Sequence, residues 1–143
     1  MPRKRVTTRF TATFDGVRDA AASLRAFLGV YSLPSVTSSR IELALVESLN
    51  NIVEHSGVRP SDMIDLRLSS NGAVLEMVIA DPGQPLDETQ MNRIAEESAQ
   101  PEEVQDHGRG LALIRTIVDR MAYTREYGRN VLTLTCAIGE ARS

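Results

Sequence analysis

Residues 64–80 constrain the fold of this chain more than any other stretch. Ile64, Leu66 and Leu68 alternate with Asp65, Arg67 and Ser69, the period-two pattern of a strand with one dry face and one wet face. Asn71-Gly72 follows, a pair that tolerates the positive φ of a tight turn. Ala73 to Ala80 then return as a mostly apolar run, as a well-buried strand does. A hairpin of this kind must cover its apolar face, and the flanking segments supply the cover.

Residues 6–14 are rich in β-branched and aromatic types and read as a first strand. Asp15 can cap a helix through Ala20, Leu24, Phe27 and Leu28, which Leu33-Pro34-Ser35 breaks. A second helix is expected from about Ser38 to His55, with Ile41, Leu45, Leu49 and Ile52 in one stripe and Gly57 and Pro60 ending it. Gly108-Arg109-Gly110 opens a third helix, whose apolar face reads Leu111, Ile114, Ile117, Val118 and Met121. Two strands follow, about 123–127 and 131–138, joined by Gly128-Arg129-Asn130. In the last one Leu132, Leu134, Cys136 and Ile138 share a face. This order predicts an α+β two-layer sandwich in one domain over residues 1–143, a mixed sheet with helices on one face. Residues 81–108 stand apart as a long, polar, acidic connection of the kind that is usually functional or mobile, with a short helix around Met91 to Ser98.

Composition removes several classes of function. With 143 residues the chain can bury a core without staples. A net charge of −3 points to neither nucleic acid nor an anionic membrane, and the basic start (Arg3, Lys4, Arg5, Arg9) reads as a solvated terminus. One cysteine, Cys136, and two histidines, His55 and His107, leave no disulfide framework and too few ligands for a His-based zinc site. The absence of Trp argues against a stacking platform for single-stranded nucleic acid. No signal peptide or membrane-length apolar run is present, so a cytoplasmic location is expected.

Three groups of residues carry chemistry. On the second helix Glu47 and Asn51 lie one turn apart on one face, beside Asn50 and Glu54. A carboxylate and a carboxamide so placed can hold Mg²⁺ through oxygen, and the carboxylate can orient or deprotonate a nucleophile. Taken alone, the pair reads as a solvated polar face. Asp81-Pro82-Gly83-Gln84-Pro85 follows a buried strand; Asp81 can accept from an adenine amino group, and Gly83 leaves room for a flat ring. Alone, it reads as a Pro-Gly turn. His107-Gly108-Arg109-Gly110-Leu111 places free backbone amides, a helix N-terminus and a guanidinium where they can meet phosphate. Alone, it is an ordinary loop.

The conjunction is far more specific than its parts. E-x-x-x-N on a helix, a hairpin, D-x-G at a strand end, a long loop and G-x-G at a helix start resemble the ordered N, G1 and G2 boxes of the GHKL (Bergerat-fold) ATPases over nearly the whole chain. Glu47-Ser-Leu-Asn-Asn51-Ile-Val-Glu-His55, Asp81-Pro-Gly-Gln-Pro-Leu-Asp87 and Gly108-Arg-Gly-Leu-Ala-Leu-Ile-Arg resemble the anti-sigma-factor serine-protein kinases within it. Pro85 replacing a second glycine, with Asp87 two residues on, is typical of that family. The resemblance implies ATP and Mg²⁺ as cofactors and Glu47 as catalytic base. It gives Mg²⁺ to one of the neighbours Asn50 and Asn51, the spacing from Glu47 favouring Asn51. It sets Asp81 and Gly83 at the adenine, and Gly108, Arg109, Gly110 and Leu111 at the phosphates. Thr133 would lie near the adenine, and residues 87–107 would form a lid. It also implies serine/threonine kinase activity on a STAS-domain anti-anti-sigma protein, sequestration of a sigma factor, and frequent homodimers. An ATP-binding sequestering module with little kinase activity is the alternative. A histidine-kinase catalytic domain would need a phosphoaccepting helical hairpin, for which no room is expected before the first strand.

Overall fold

The alternating residues form the centre of a sheet. β2 (Met63–Ser70) and β3 (Val74–Asp81) pair antiparallel, with Leu66 opposite Ile79 and Leu68 opposite Met77. The Asn71 side-chain oxygen closes the turn between them, accepting from the amides of Ala73 and Val74 at 2.9 and 3.0 Å. Ile64, Leu66, Leu68, Leu75, Met77 and Ile79 are all fully buried, and burying each such side chain contributes about 1.5–3 kcal/mol. The structure, a computed structural model, describes residues 3–86 and 106–139, with the backbone alone at 106–110. The expected short helix at 91–98, Asp87 and most of the expected lid lie outside the described residues.

β1 (Lys4–Thr11) pairs with β2, and the last hairpin, β4 (Arg120–Glu126) and β5 (Arg129–Ala137), joins β3 through β5. The strand order is β1-β2-β3-β5-β4, and all four pairings are antiparallel. The expectation of a mixed sheet is therefore corrected. Two helices separate β1 from β2, so the chain reverses three times, and an odd number of reversals returns it in the opposite sense. Beside β3 the neighbour is β5, so the same-sense strand β4 is kept one place away.

Among the described residues, three helices cover one face of the sheet: α1 (Phe14–Leu28), α2 (Ser35–His55) and α3 (Asp106–Ile117). The α2 stripe of Ile41, Leu45, Leu49 and Ile52 is buried as its spacing requires, and Leu24 and Phe27 of α1 and Ile114 of α3 join the same core. Cys136 is a buried free thiol whose pKa burial pushes up to about 11, an inert core position.

Helix and turn boundaries differ from the sequence reading in four places. Thr13, not Asp15, caps α1: its backbone is extended and its Oγ1 accepts from the Gly16 amide at 3.0 Å. Asp15 lies in the first turn, where a negative charge suits the helix dipole, and pairs with Arg18. Pro34 stands at the N-cap of α2 and its carbonyl accepts from Ser38 at 3.1 Å, so the helix begins at Ser35. Helix α3 ends at Ile117, which puts Met121 in β4, packed on the core from the sheet. The β4–β5 turn is Tyr127-Gly128, with φ of 52° and 74°, the paired positive values of a two-residue hairpin turn. Arg129 and Asn130 are consequently strand residues, and Asn130 stands directly opposite Asp81. Among the described residues no helix is long and apolar enough to cross a membrane.

Candidate functional site

A cleft with a cavity volume of about 70 Å³ opens between α2, α3 and the adjoining ends of β3, β4 and β5. Helix α2 lines it with Ser48, Asn51, Ile52 and His55, the i, i+3, i+4, i+7 positions of one helical face. Leu111 of α3, Leu86 after β3, and Tyr123 and Leu132 on the last hairpin complete the walls, and Asp81 and Asn130 supply buried polar groups. A flat, largely apolar ring with a polar edge suits such walls.

Asp81 is the electrostatic centre of the cleft. It is 3% exposed, at the end of a strand whose alternate residues Leu75, Met77 and Ile79 face the helices. Burial pushes its carboxyl above the ordinary carboxylate range. Bonds from the Gly83 amide and the Asn130 side chain oppose that shift, as do the charges of Arg129 and Arg125. Gly83 N donates to Asp81 Oδ1 at 2.7 Å and Asn130 Nδ2 donates to the same oxygen at 3.2 Å. Both bonds fall on Oδ1, so Oδ2 can accept from an N–H donor entering the cleft.

Gly83 also has a packing role that its spacing does not suggest. A Cβ there would lie 2.6 Å from the Ser56 carbonyl oxygen, 2.6 Å from Ser56 Oγ and 2.8 Å from Asp81 Oδ1. The glycine lets the segment after β3 lie against the end of α2, where the Gln84 amide donates to the Ser56 carbonyl at 2.7 Å. An added Cβ would therefore meet the protein itself.

The other expected site residues are placed as follows. Asn51 lines the cleft, and half-buried Glu47 lies one turn earlier on α2, outside the lining. Asn50, its neighbour, is also outside the lining. Gly108 falls in the first turn of α3 and Gly110 in the second, so both are helical and Gly108 is among the amides left free by the helix end. The side chain of Arg109 lies outside the described residues. Leu111 is buried against the cleft. Thr133 is not brought to the cleft: it pairs with Val78 and Ala122 on the face of the sheet opposite Asp81. The strand's alternation gives the cleft to Asn130 and Leu132 instead.

Sequence reasoning missed Asn130, Tyr123, Arg125 and Ser56. The available signal was Tyr127-Gly128, a turn pair whose recognition would have moved β5 two residues earlier and set Asn130 against Asp81. Arg125 Nη1 donates to Asn130 Oδ1 and to the Gly83 carbonyl, each at 2.9 Å. Tyr123 Oη donates to Asn130 Oδ1 at 2.5 Å and accepts from the Leu86 amide at 3.1 Å.

These residues fit a nucleotide and its cation. An acceptor deep in an apolar-walled slot suits a base bearing an amino group. Asn51, further along the same cleft, offers an amide oxygen of the hard type that Mg²⁺ takes, and Mg²⁺ commonly needs few protein ligands beside phosphate and water.

Residues 10–136 match the family described as histidine kinase-like ATPase domain, and the chain belongs to that family. Among solved structures it is similar to the RsbU and RsbW domains of Rv1364c from Mycobacterium tuberculosis, with a TM-score of 0.62 and 20% identity over 96% of this chain. It spans only 33% of that longer chain. It is also similar to the SiaB-SiaC complex from Pseudomonas aeruginosa, with a TM-score of 0.67 and 13% identity over 93% of this chain and 89% of the other. At such identities the likeness is one of fold, an α+β ATPase fold with an antiparallel five-stranded sheet. No curated protein matches.

Proposed function

We propose that this chain binds Mg-ATP in the α2–β3 cleft and acts as a serine/threonine protein kinase and anti-sigma factor in a partner-switching system. Its substrate would be a serine on a STAS-domain antagonist. The observation that carries the reading is the buried Asp81 carboxylate, with Oδ2 open to a ligand, in the same cleft as Asn51. The matched ATPase family supports the nucleotide. A protein partner is supported by two fold relatives, one solved as a complex with SiaC and one occurring beside an RsbU domain.

Asp81 accepts from the base while Ile52, Leu86, Leu111 and Leu132 exclude water from its faces. The free amides at the start of α3 stabilise phosphate charge. Asn51 holds the cation, which when bound neutralises phosphate charge. Glu47, a turn earlier on α2 and outside the cleft lining, orients the substrate hydroxyl or takes its proton. Positioning and charge stabilisation supply most of the acceleration.

The position of Glu47 outside the lining also favours a second reading, an ATP-binding module that sequesters its partner with little phosphotransfer. One assay separates the two. The protein and Glu47→Ala are each added, with γ-labelled ATP, to lysate of the source organism. Acid-stable label on a small protein, lost with the variant, is the expected result. Absence of label with Mg-ATP binding retained would favour the sequestering module, and undiminished label with Glu47→Ala would remove the base assignment.

A further inference from the structure

The polar cluster behind Asp81 uses every hydrogen-bonding group of one side chain. Asn130 is 5% exposed. Its Oδ1 receives two donors, Tyr123 Oη at 2.5 Å and Arg125 Nη1 at 2.9 Å. Its Nδ2 donates to two acceptors, the Gln84 carbonyl at 2.8 Å and Asp81 Oδ1 at 3.2 Å. A carboxamide has two lone pairs and two N–H bonds, and all four are used. The orientation of the amide is also settled. A guanidinium only donates, so the atom facing Arg125 is the carbonyl oxygen. A backbone carbonyl only accepts, so the atom facing Gln84 is the NH₂.

We infer that Asn130 is a positioning residue for base selection, holding Asp81 as a pure acceptor so that the cleft favours a base with an exocyclic amino group over one with a carbonyl in its place. Asn130 has no polar group left for a ligand and acts only through Asp81. With the Gly83 amide it supplies two donors to Oδ1, which favours the ionised carboxylate despite its burial. An ionised Asp81 welcomes an N–H at Oδ2 and repels a carbonyl oxygen there. Without the Asn130 donor, burial is opposed less, the carboxyl takes up a proton more readily, and a protonated carboxyl can donate to a carbonyl. Arg125 and Tyr123 extend the control to the loop after β3. Arg125 holds the Gly83 carbonyl and Tyr123 the Leu86 amide, while Asn130 holds the Gln84 carbonyl. Base recognition and the path of residues 83–86 are thus set by one amide on β5.

This inference deepens the nucleotide-binding reading above and rests on it. The test compares ATP with ITP, in which a carbonyl replaces the amino group, by calorimetric titration of the wild type, Asn130→Leu and Tyr123→Phe. Leucine removes the donor to Asp81. Phenylalanine keeps the ring but releases one of the two donors to the amide oxygen, and it carries the test if Asn130→Leu does not give a cooperative melt. The wild type is expected to prefer ATP by about 10- to 100-fold, the cost of opposing two acceptors in a buried site. The preference should fall to a few-fold in Asn130→Leu and to an intermediate value in Tyr123→Phe, chiefly because ITP binds better. Equal losses of ATP and ITP affinity, leaving the ratio at its wild-type value, would show that Asn130 merely supports the fold and would overturn the inference. A wild type that binds neither nucleotide would overturn the nucleotide-binding reading itself.

Discussion

Replacing Gly83 with alanine separates two explanations of the same residue. If the glycine exists to admit a flat ring, the unliganded protein should tolerate a methyl group and only nucleotide binding should suffer. The geometry says otherwise. The new Cβ would sit 2.6 Å from the Ser56 carbonyl oxygen and 2.8 Å from Asp81 Oδ1. The first contact is to backbone at the end of α2, so it cannot be relieved by rotating a side chain. The loop after β3 must move away, stretching the 2.7 Å bond from the Gln84 amide to Ser56. Overpacking of this kind costs about 1–3 kcal/mol, and loss of the hydrogen bond adds about 0.5–1.5 kcal/mol. For a chain of this length the melting temperature should drop by roughly 5–13 °C. The measurement is a thermal melt followed by circular dichroism, without and with Mg-ATP. An unliganded melt superimposable on wild type, with only the ATP-induced rise lost, would refute the packing account and restore the ring-clearance explanation.

Two further outcomes can be stated briefly. Burial raises the Asp81 pKa above the ordinary carboxylate value of 3.8, so the native state binds that proton more readily than the unfolded chain does. The charged form therefore costs stability as pH rises from 3.8 through the native pKa. Asp81→Asn should melt higher than wild type at pH 7, with a gap that narrows towards pH 4, and should abolish stabilisation by ATP; a gap that widens on acidification would contradict the assignment. Thr13→Ala should cost about 1 kcal/mol, which is about 3 °C in a melt, and Asp15→Ala appreciably less. The opposite order would return the cap to Asp15.

Much of the architecture was legible because it is written in short-range periodicity. Alternation at 64–69 and the Asn71-Gly72 pair specify β2, β3 and their turn without reference to the rest of the chain. The spacing of Ile41, Leu45, Leu49 and Ile52 specifies which side of α2 is dry, and hence that Asn51 faces elsewhere. Asp81 could be singled out because a carboxylate at the end of an apolar strand is chemically conspicuous. The order of these motifs sufficed for the ATPase family.

Tertiary structure decided which residues those motifs meet. Alternation in β5 places Thr133 opposite Leu132 from sequence alone, but only the location of the cleft, between the helices and the sheet, makes Leu132 the residue that faces it. Asn130 becomes a strand residue only because Tyr127-Gly128 forms the turn, and it reaches Asp81 only through the β3–β5 pairing of segments 49 residues apart. The need for Gly83 likewise comes from Ser56, on an element that precedes the β2–β3 hairpin. Sequence patterns record the interaction of a residue with its near neighbours and with water. A hydrogen-bond network that joins α2, β3, β4 and β5 depends on the relative placement of those elements, and packing of the whole core sets that placement.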